Sequence, residues 1–200
     1  MTTSASRGCR SQVRVEASVD VPCHGHNHGK RNDAYILARS QEQRNPMVLR
    51  AIRTYDVASL RAFHARCSAE TQYRRFFMHK PHLSNEEAKY FCSVDMRNRG
   101  AFVASNLSFP NRIHGIGQWD RLTDSKAEIA FVVEDGVQGL GIGRSLVNAV
   151  LDRTQALGLR QLTGFILAGN APMRHLLETS GYAFSLSASD CGVRAFSLES

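Results

Sequence analysis

The sequence predicts a mixed α/β domain built around a central β-sheet. Apolar and polar residues alternate with a period of two in several short segments, and apolar residues recur at helical spacing in others. The two kinds of segment are interspersed in the order strand, three helices, three strands, helix, strand, helix and two strands, which is typical of a sheet flanked by helices. Hydrophobic residues make up 42% of the chain and charged residues 22%, an ordinary globular composition.

Seven segments are predicted to be strands, because they are short, apolar or alternating, and bounded by turn residues. They are residues 47–53, 101–105, 113–119, 128–133, 162–167, 182–187 and 193–198.

Five segments are predicted to be helices, and each has a signal at its start or along one face. Asp56 is expected to cap the first, which carries an apolar stripe, and Ser84 with Glu87 forms a capping box for the third. The predicted helices begin near residues 57, 70, 85, 142 and 171.

The chain is expected to divide at about residue 46. Residues 1–46 are rich in Ser, Arg, Asn, Gln and His and lack a sustained apolar period, so they predict a disordered N-terminal extension. Residues 47–200 are predicted to form the folded domain. Residues 23–28 contain one cysteine and three histidines, but their spacing fits no structural zinc site, and no metal is predicted.

The formal charge of +7 is concentrated in the first part of the chain. Residues 1–80 carry fourteen Lys or Arg and six Asp or Glu, whereas residues 81–200 carry eleven and twelve. The basic residues are dispersed and not interleaved with aromatic residues, so a solvated basic face is expected rather than a nucleic-acid site.

No apolar run approaches the ~20 residues that span a bilayer, and no signal peptide is evident. The five cysteines form no C-x-x-C pair, and a cytoplasmic protein with reduced thiols is expected.

A glycine-rich turn precedes the predicted helix at residue 142. Three glycines within residues 138–143 leave little side chain there, so the backbone can approach a ligand. The first N–H groups of a helix have no intrahelical acceptor, and together with the helix dipole they favour an anion such as a pyrophosphate.

Two other phosphate-binding loops do not match this turn. A dinucleotide loop needs a third glycine where the chain has Leu146, and it needs an acidic residue at the end of the next strand. A nucleoside triphosphate loop needs Gly-Lys-Ser/Thr, whereas Gly143 is followed by Arg144. A plain glycine-rich turn without a ligand remains the structural alternative.

The segment Q-G-L-G-I-G at residues 138–143 resembles the Q/R-x-x-G-x-G/A pyrophosphate loop of the GNAT acetyltransferases. The strand at residues 128–133, and Asn170 followed by a helix and Gly181-Tyr182, also resemble motifs of that family. Residues 68–77 and the sequence His-Leu-Ser at 82–84 are similar to bacterial protein lysine acetyltransferases. The resemblance spans roughly residues 48–184 and implies the GNAT fold, a mostly antiparallel mixed sheet flanked by helices.

The resemblance implies acetyl-CoA as co-substrate. The backbone of the strand at 131–133 would pair with its pantetheine arm, the loop at 138–145 would hold its pyrophosphate, and Asn170 would contact it from the far side. The implied cofactor-binding residues are Phe131, Val132, Val133, Gln138, Gly139, Leu140, Gly141, Ile142, Gly143, Arg144, Ser145 and Asn170.

Glu128 stands where many members of the family place the general base. A free lysine amine has a pKa of about 10.4, so only about one molecule in 10³ is neutral at pH 7, and a carboxylate is needed to remove the proton.

One feature departs from the family: Leu177 occupies the position where many members carry a tyrosine that protonates the leaving thiolate. Leucine cannot donate a proton.

The predicted function is transfer of an acetyl group from acetyl-CoA to an amine by direct attack, with a protein lysine as the expected acceptor. A small-molecule amine is the first alternative. A non-catalytic acyl-CoA-binding module is the second, because it needs the loop but does not need Glu128.

Overall fold

A computed structural model of the chain describes residues 34–36 and 47–199. Its strands are Ala34–Ile36 (β1), Met47–Ala51 (β2), Arg99–Asn106 (β3), Phe109–Arg121 (β4), Lys126–Val133 (β5), Gln161–Leu167 (β6), Ala183–Leu186 (β7) and Val193–Glu199 (β8). They form one eight-stranded sheet in the order β1-β2-β3-β4-β5-β6-β8-β7. Neighbouring strands are antiparallel except β5 and β6, which are parallel. The mixed, mostly antiparallel sheet predicted from the sequence is confirmed.

Helices cover both faces of this sheet. They are Val57–Arg66 (α1), Ala69–Phe76 (α2), Asn85–Cys92 (α3), Ile142–Ala156 (α4) and Ala171–Glu178 (α5). Successive residues of β3 show the two faces, because Phe102 and Ala104 belong to the core beneath α4, whereas Ala101 and Val103 belong to the core beneath α1 and α3. In the described ranges, none of the helices combines the length and apolar character that crossing a bilayer requires.

The two helix-start predictions have different outcomes. Ser84 and Glu87 form the predicted capping box of α3. Asp56 does precede α1, but its carboxylate makes no hydrogen bond to the first turn, so the predicted cap is wrong. The reason is Arg50, a buried cation on β2, which donates to Asp56 Oδ2 at 2.6 Å and Oδ1 at 2.9 Å. Leaving a buried guanidinium without a counter-charge costs more free energy than leaving a helix without its N-cap hydrogen bond.

Strand β1 lies inside the segment that was predicted to be an extension. Its three residues pair with Val48, Leu49 and Arg50 of β2. This strand is not predictable from the sequence, because three residues are too few to show a period. The cysteine and histidine segment at 23–28 lies outside the described residues.

The sheet opens between β5 and β6. These strands pair only where residues 126–128 face residues 161–163, and beyond that point residues 129–133 have no partner from β6. The other edge of β5 stays paired with β4 as far as Val133 and Gly115. At the fork, a Cβ on Gly164 would lie 2.6 Å from the carbonyl oxygen of Ile129, so the close approach of the strands requires glycine. One edge of β5 is therefore available to a ligand.

Candidate active site

The fork between β5 and β6 opens into a cleft of about 370 Å³. Its walls are the free part of β5, the loop before α4, and the facing surfaces of α2 and α5. The residues that line it are Thr71, Arg74, Arg75, Phe131, Val132, Val133, Gln138, Gly139, Gly141, Gly143, Arg144, Asn170, Pro172, Met173, His175 and Leu176. The cleft thus has an unpaired strand edge on one side and a helix N-terminus on another.

The loop at the N-terminus of α4 has the features of an anion site. Gly139 and Gly141 adopt φ values of +79° and +82°, and a Cβ on either would meet no atom within 4 Å. Both glycines line the cleft. The backbone N–H groups of Ile142, Gly143 and Arg144 find no acceptor in the described part of the chain. These donors and the positive end of the α4 dipole suit a phosphate group.

Side chains fix this loop to the end of β5 and to α2. Gln138 donates from Nε2 to the carbonyl of Val133 at 2.9 Å. Asp135 accepts from the backbone N–H and the hydroxyl of Ser68, and from the hydroxyl of Thr71, each at 2.8 Å. Burial raises the pKa of Asp135, but these hydrogen bonds outweigh it and hold the pKa below its ordinary value. The loop and α2 are thus positioned together.

The structure brings most of the predicted cofactor-binding residues to the cleft. Nine line it: Phe131, Val132, Val133, Gln138, Gly139, Gly141, Gly143, Arg144 and Asn170. Three do not line it with their side chains. Leu140 points to solvent with 49% of its surface exposed, Ile142 packs into the core, and the hydroxyl of Ser145 donates to the carbonyl of Gly141. Any role of these three in holding a ligand falls to their backbone.

Sequence reasoning missed the contribution of two helices to the cleft. On α5, Pro172, Met173, His175 and Leu176 line it. They follow Asn170 directly, so the helical period after that residue was the signal that could have found them. On α2, Thr71 lines the cleft together with two arginines, and no sequence pattern connects α2 with a loop that lies more than 60 residues away.

Asn170 and Leu177 show how α5 is oriented. Asn170 is the N-cap of α5, where its Oδ1 accepts from the N–H of Met173 at 3.3 Å, and it also borders the cleft. Leu177 is fully buried in the core and does not line the cleft. The position where many family members carry a tyrosine therefore faces inward in this chain, and it supplies no proton donor to the cleft.

Glu128 lies on β5 beside a second, smaller space of about 50 Å³. Its side chain is exposed, and it has no hydrogen bond or ion pair with any described residue. Phe77 and Phe165 stand at the same space, with ring centroids 6.5 Å apart in an edge-to-face arrangement. This small space adjoins the cleft, and five residues line both: Arg74, Arg75, Phe131, Asn170 and Met173.

The two arginines at this junction differ in their partners. Arg74 forms an ion pair with Glu70 one helical turn earlier. Arg75 is partly buried, and among the described residues it has neither an ion pair nor a hydrogen-bond acceptor; its guanidinium lies 5.0 Å from the ring centroid of Phe76. Burial lowers the pKa of Arg75, and the carboxylates of Glu128 and Asp120 act in the opposite direction. Arg75 is thus a cation whose charge is not balanced by direct contact.

Comparison with known proteins agrees with this geometry. The family model described as an acetyltransferase (GNAT) domain matches residues 47–183. The fold is similar to the GNAT domain of S. lividans PAT, with a TM-score of 0.69 and 24% identity over 77% of this chain and 90% of that one. It is also similar to a putative acetyltransferase from Salmonella typhimurium with its cofactor acetyl-CoA, with a TM-score of 0.61 and 17% identity over 76% and 93% of the two chains.

A third similar structure is spermidine N-acetyltransferase from Vibrio cholerae in complex with CoA and spermine. Its TM-score is 0.59 and its identity is 20%, over 76% of this chain and 95% of that one.

The chain belongs to the GNAT acetyltransferase family. It is an acetyl-CoA-dependent N-acetyltransferase, with acetyl-CoA as co-substrate. The cleft suits that molecule, since it combines a free strand edge for an amide-containing arm with unpaired backbone donors for a pyrophosphate.

Proposed function

We propose that this enzyme transfers the acetyl group of acetyl-CoA directly to the side-chain amine of a protein lysine, with Glu128 as the general base. The observation that carries the proposal is the position of Glu128. Its carboxylate has no described partner, and it borders a small space that adjoins the cofactor cleft through five shared residues. An amine in that space would have a base on one side and a thioester on the other.

The cofactor is held by the surfaces that form the cleft. The pantetheine arm pairs with the free edge of β5 at residues 131–133, as an added strand would. The pyrophosphate lies against the loop and the unpaired N–H groups at residues 142–144. Asn170 contacts the cofactor from the side of α5. This placement leaves the thioester at the junction where the cleft meets the space beside Glu128.

The size of the second space favours a lysine side chain. Sites that enclose a whole small molecule usually measure roughly 300–1,000 Å³. The space beside Glu128 measures about 50 Å³, which suits a slender chain of methylene groups rather than an enclosed ligand. Phe165, with 53% of its surface exposed, and Phe77 supply apolar surface for such a stem. The rest of the acceptor would remain outside, on the protein surface.

Charge at this space disfavours polycations. Arg74 and Arg75 line it together with Glu128, which is the one carboxylate among its lining residues. A polyamine carries several positive charges and would be repelled, whereas a lysine flanked by acidic residues would be attracted.

An acceptor panel tests this function. Purified protein and acetyl-CoA are mixed with lysine peptides that carry acidic flanks, with the same peptides in which Gln replaces each acidic residue, and with spermine. Acetylated products are measured by mass spectrometry. We expect the acidic peptides to react fastest and their advantage to shrink at high salt. Faster turnover of spermine than of every lysine peptide would contradict the protein-lysine acceptor. No product with any amine, despite tight acetyl-CoA binding, would favour a binding module.

The cytoplasmic location expected from the sequence belongs to the same proposal. The described cysteines Cys67, Cys92 and Cys191 are all free thiols, which suits a reducing compartment. Fractionation of cells that express the tagged protein tests the location.

A further inference from the structure

The position of Leu177 raises the question of how the thiolate leaves. In direct transfer, the amine lone pair forms a C–N bond to the thioester carbon, and the carbonyl electrons move to oxygen. The C=O bond then re-forms, the C–S bond breaks, and its electron pair stays on sulfur. The amine proton goes to the Glu128 carboxylate. Negative charge thus accumulates on sulfur, and Leu177 is buried in the core, away from the cleft.

The junction between the two spaces fixes where that charge develops. The amine enters beside Glu128, and the cofactor occupies the cleft, so the reacting carbon and sulfur lie where the two meet. Of the five residues that line both spaces, Phe131, Asn170 and Met173 are uncharged. Only the two arginines can place a full positive charge there.

The two arginines differ in whether an ion-pair partner already balances their charge. Arg74 is already paired with Glu70, so an anion in the cleft would have to compete with that carboxylate. Arg75 has no ion pair within the described residues. It also lines a third, mostly apolar space of about 30 Å³ beneath α1, and its side chain is partly buried. A charge with reduced access to water interacts more strongly with an opposite charge nearby.

We propose that Arg75 is a catalytic residue that contacts the sulfur of the thioester and stabilises the thiolate as it leaves. The proposal rests on the proposed function, since it takes the junction as the place of transfer. Its guanidinium contributes charge and N–H donors and does not itself give up a proton. The thiolate takes its proton afterwards from water. Arg75 in this way replaces, by electrostatics, the acid that a tyrosine would supply.

The test uses CoA alone, with no acceptor present. An ordinary thiol has a pKa of about 8.5. The thiol of CoA bound to saturating protein is titrated by following the ultraviolet absorbance of the thiolate. We expect its pKa to be lower in the wild-type complex than in the complex with Arg75→Met, by about one to three units, which is the effect of an opposite charge within contact distance. Arg75→Lys, which keeps the charge, should retain part of the shift.

Arg74→Met is the matched control, since it removes one positive charge from the same helix and the same junction. It should change the thiol pKa by less than half as much as Arg75→Met does, because Glu70 already balances Arg74. Equal thiol pKa values in wild type and Arg75→Met, or equal shifts in the two methionine variants, would overturn the proposal. If Arg75→Met does not fold, the comparison is made with Arg75→Gln.

A kinetic measurement gives a second readout. With acetyl-CoA and the best acceptor, Arg75→Met should lower kcat with little change in the KM for acetyl-CoA, and Arg75→Lys should recover part of the loss. Because the thiol titration needs no acceptor, a wrong acceptor or a wrong base would leave that titration unaffected. Failure of the Arg75 proposal is therefore distinguishable from failure of the proposed function.

Discussion

Asp135 accepts two hydrogen bonds from Ser68, one from its backbone N–H and one from its hydroxyl, each at 2.8 Å. Ser68 is the N-cap of α2, so a carboxylate from the cofactor loop lies at the positive end of the helix that carries Arg75. The loop proposed to bind acetyl-CoA and the helix that carries Arg75 are therefore joined by a charged contact. A substitution in the loop before α4 is therefore expected to alter the position of α2, and a substitution in α2 that of the loop.

Replacing Asp135 with alanine should loosen both elements. The side chain is exposed, so water replaces part of what is lost, and we expect the free energy of unfolding to fall by about 1–2 kcal/mol. The Kd for acetyl-CoA should rise roughly fivefold, which corresponds to about 1 kcal/mol. Denaturant unfolding and calorimetry measure the two effects. Asp124→Ala is the control, because Asp124 is an exposed carboxylate in the turn before β5. Equal effects of the two variants would contradict the linking role of the hydrogen bonds between Asp135 and Ser68.

The same contact has a predictable pH dependence. The pKa of Asp135 in the folded protein is lowered from 3.8, so the folded state favours the ionised carboxylate. Its contribution is present above pH 3.8 and is lost as the pH falls through the lower folded-state pKa. The stability difference between wild type and Asp135→Ala should therefore be constant near neutral pH and should narrow below about pH 4. Urea unfolding across this range measures it, and a gap that widens on acidification would contradict the prediction.

The buried pair of Arg50 and Asp56 should be costly to break. Asp56→Asn leaves Arg50, a residue that is 6% exposed, without its counter-charge, and we expect the free energy of unfolding to fall by about 3–5 kcal/mol. The double variant Arg50→Met with Asp56→Asn should recover part of this loss, since it removes the unpaired charge. Glu178→Gln, which breaks the exposed pair with Arg174, should cost less than about 1 kcal/mol. Thermal or urea unfolding of the four proteins decides the matter.

Gly141→Ala should affect both folding and acetyl-CoA binding. The φ of +82° costs an L-residue roughly 1–2 kcal/mol, and the added methyl group would enter the cleft next to the pyrophosphate. Gly158→Ala is a matched control, because Gly158 has a φ of +76° and equally open surroundings but does not line the cleft. Both variants should lose similar stability, and only Gly141→Ala should lose tenfold or more in affinity, roughly 1.4 kcal/mol. Equal Kd values would remove this glycine from the site.

Glu128→Gln should leave acetyl-CoA affinity nearly normal and lower kcat by roughly 10²–10⁴ near neutral pH, the range for a lost general base. The defect should shrink as pH rises toward the lysine pKa of about 10.4, because the amine then loses its proton unaided. Asp124→Asn serves as control, because Asp124 is an exposed carboxylate that lines neither the cleft nor the space beside Glu128. Equal activity of Glu128→Gln and wild type at pH 7, with chemistry rate-limiting, would exclude this residue as the base.

Residues 1–46 are proposed to lie outside the acetyltransferase domain, and paired truncations test this boundary. Removing residues 1–33 keeps β1, and removing residues 1–46 deletes it. Acetyl-CoA affinity should be unchanged in both, and the second truncation should cost about 1 kcal/mol more in stability, because an edge strand of three residues contributes few hydrogen bonds. A large loss of affinity in either would contradict the boundary.

Periodicity and short motifs predicted the fold well. The capping box of Ser84 and Glu87 and the glycine loop at 138–143 are both local, so few neighbouring residues specify them and they can be seen in sequence. The strand predicted at 113–119 is longer in the structure, where β4 runs from Phe109 to Arg121. Strand ends depend on cross-strand pairing, which the sequence of one segment does not show.

The parts of the site that sequence reasoning missed are set by distant contacts. Asp56 looks like a helix cap until the buried charge of Arg50 is known. The sequence places Arg75 among several basic residues on the acceptor side of the domain, and only the packing of α2 over the fork shows that it lines the same space as Glu128. Neither relationship leaves a periodic signal, since each joins segments whose separation in the chain is unrelated to their own structure.

The parting of β5 from β6 places an interruption in the middle of the sheet. Only three residue pairs join β5 to β6, and in the proposed function the cofactor occupies the place of the missing length of strand. A ligand that binds only the folded state stabilises it by about 2.7 kcal/mol when present at about 100 times its Kd. We therefore expect the resistance of this enzyme to unfolding and proteolysis to rise with the concentration of acetyl-CoA.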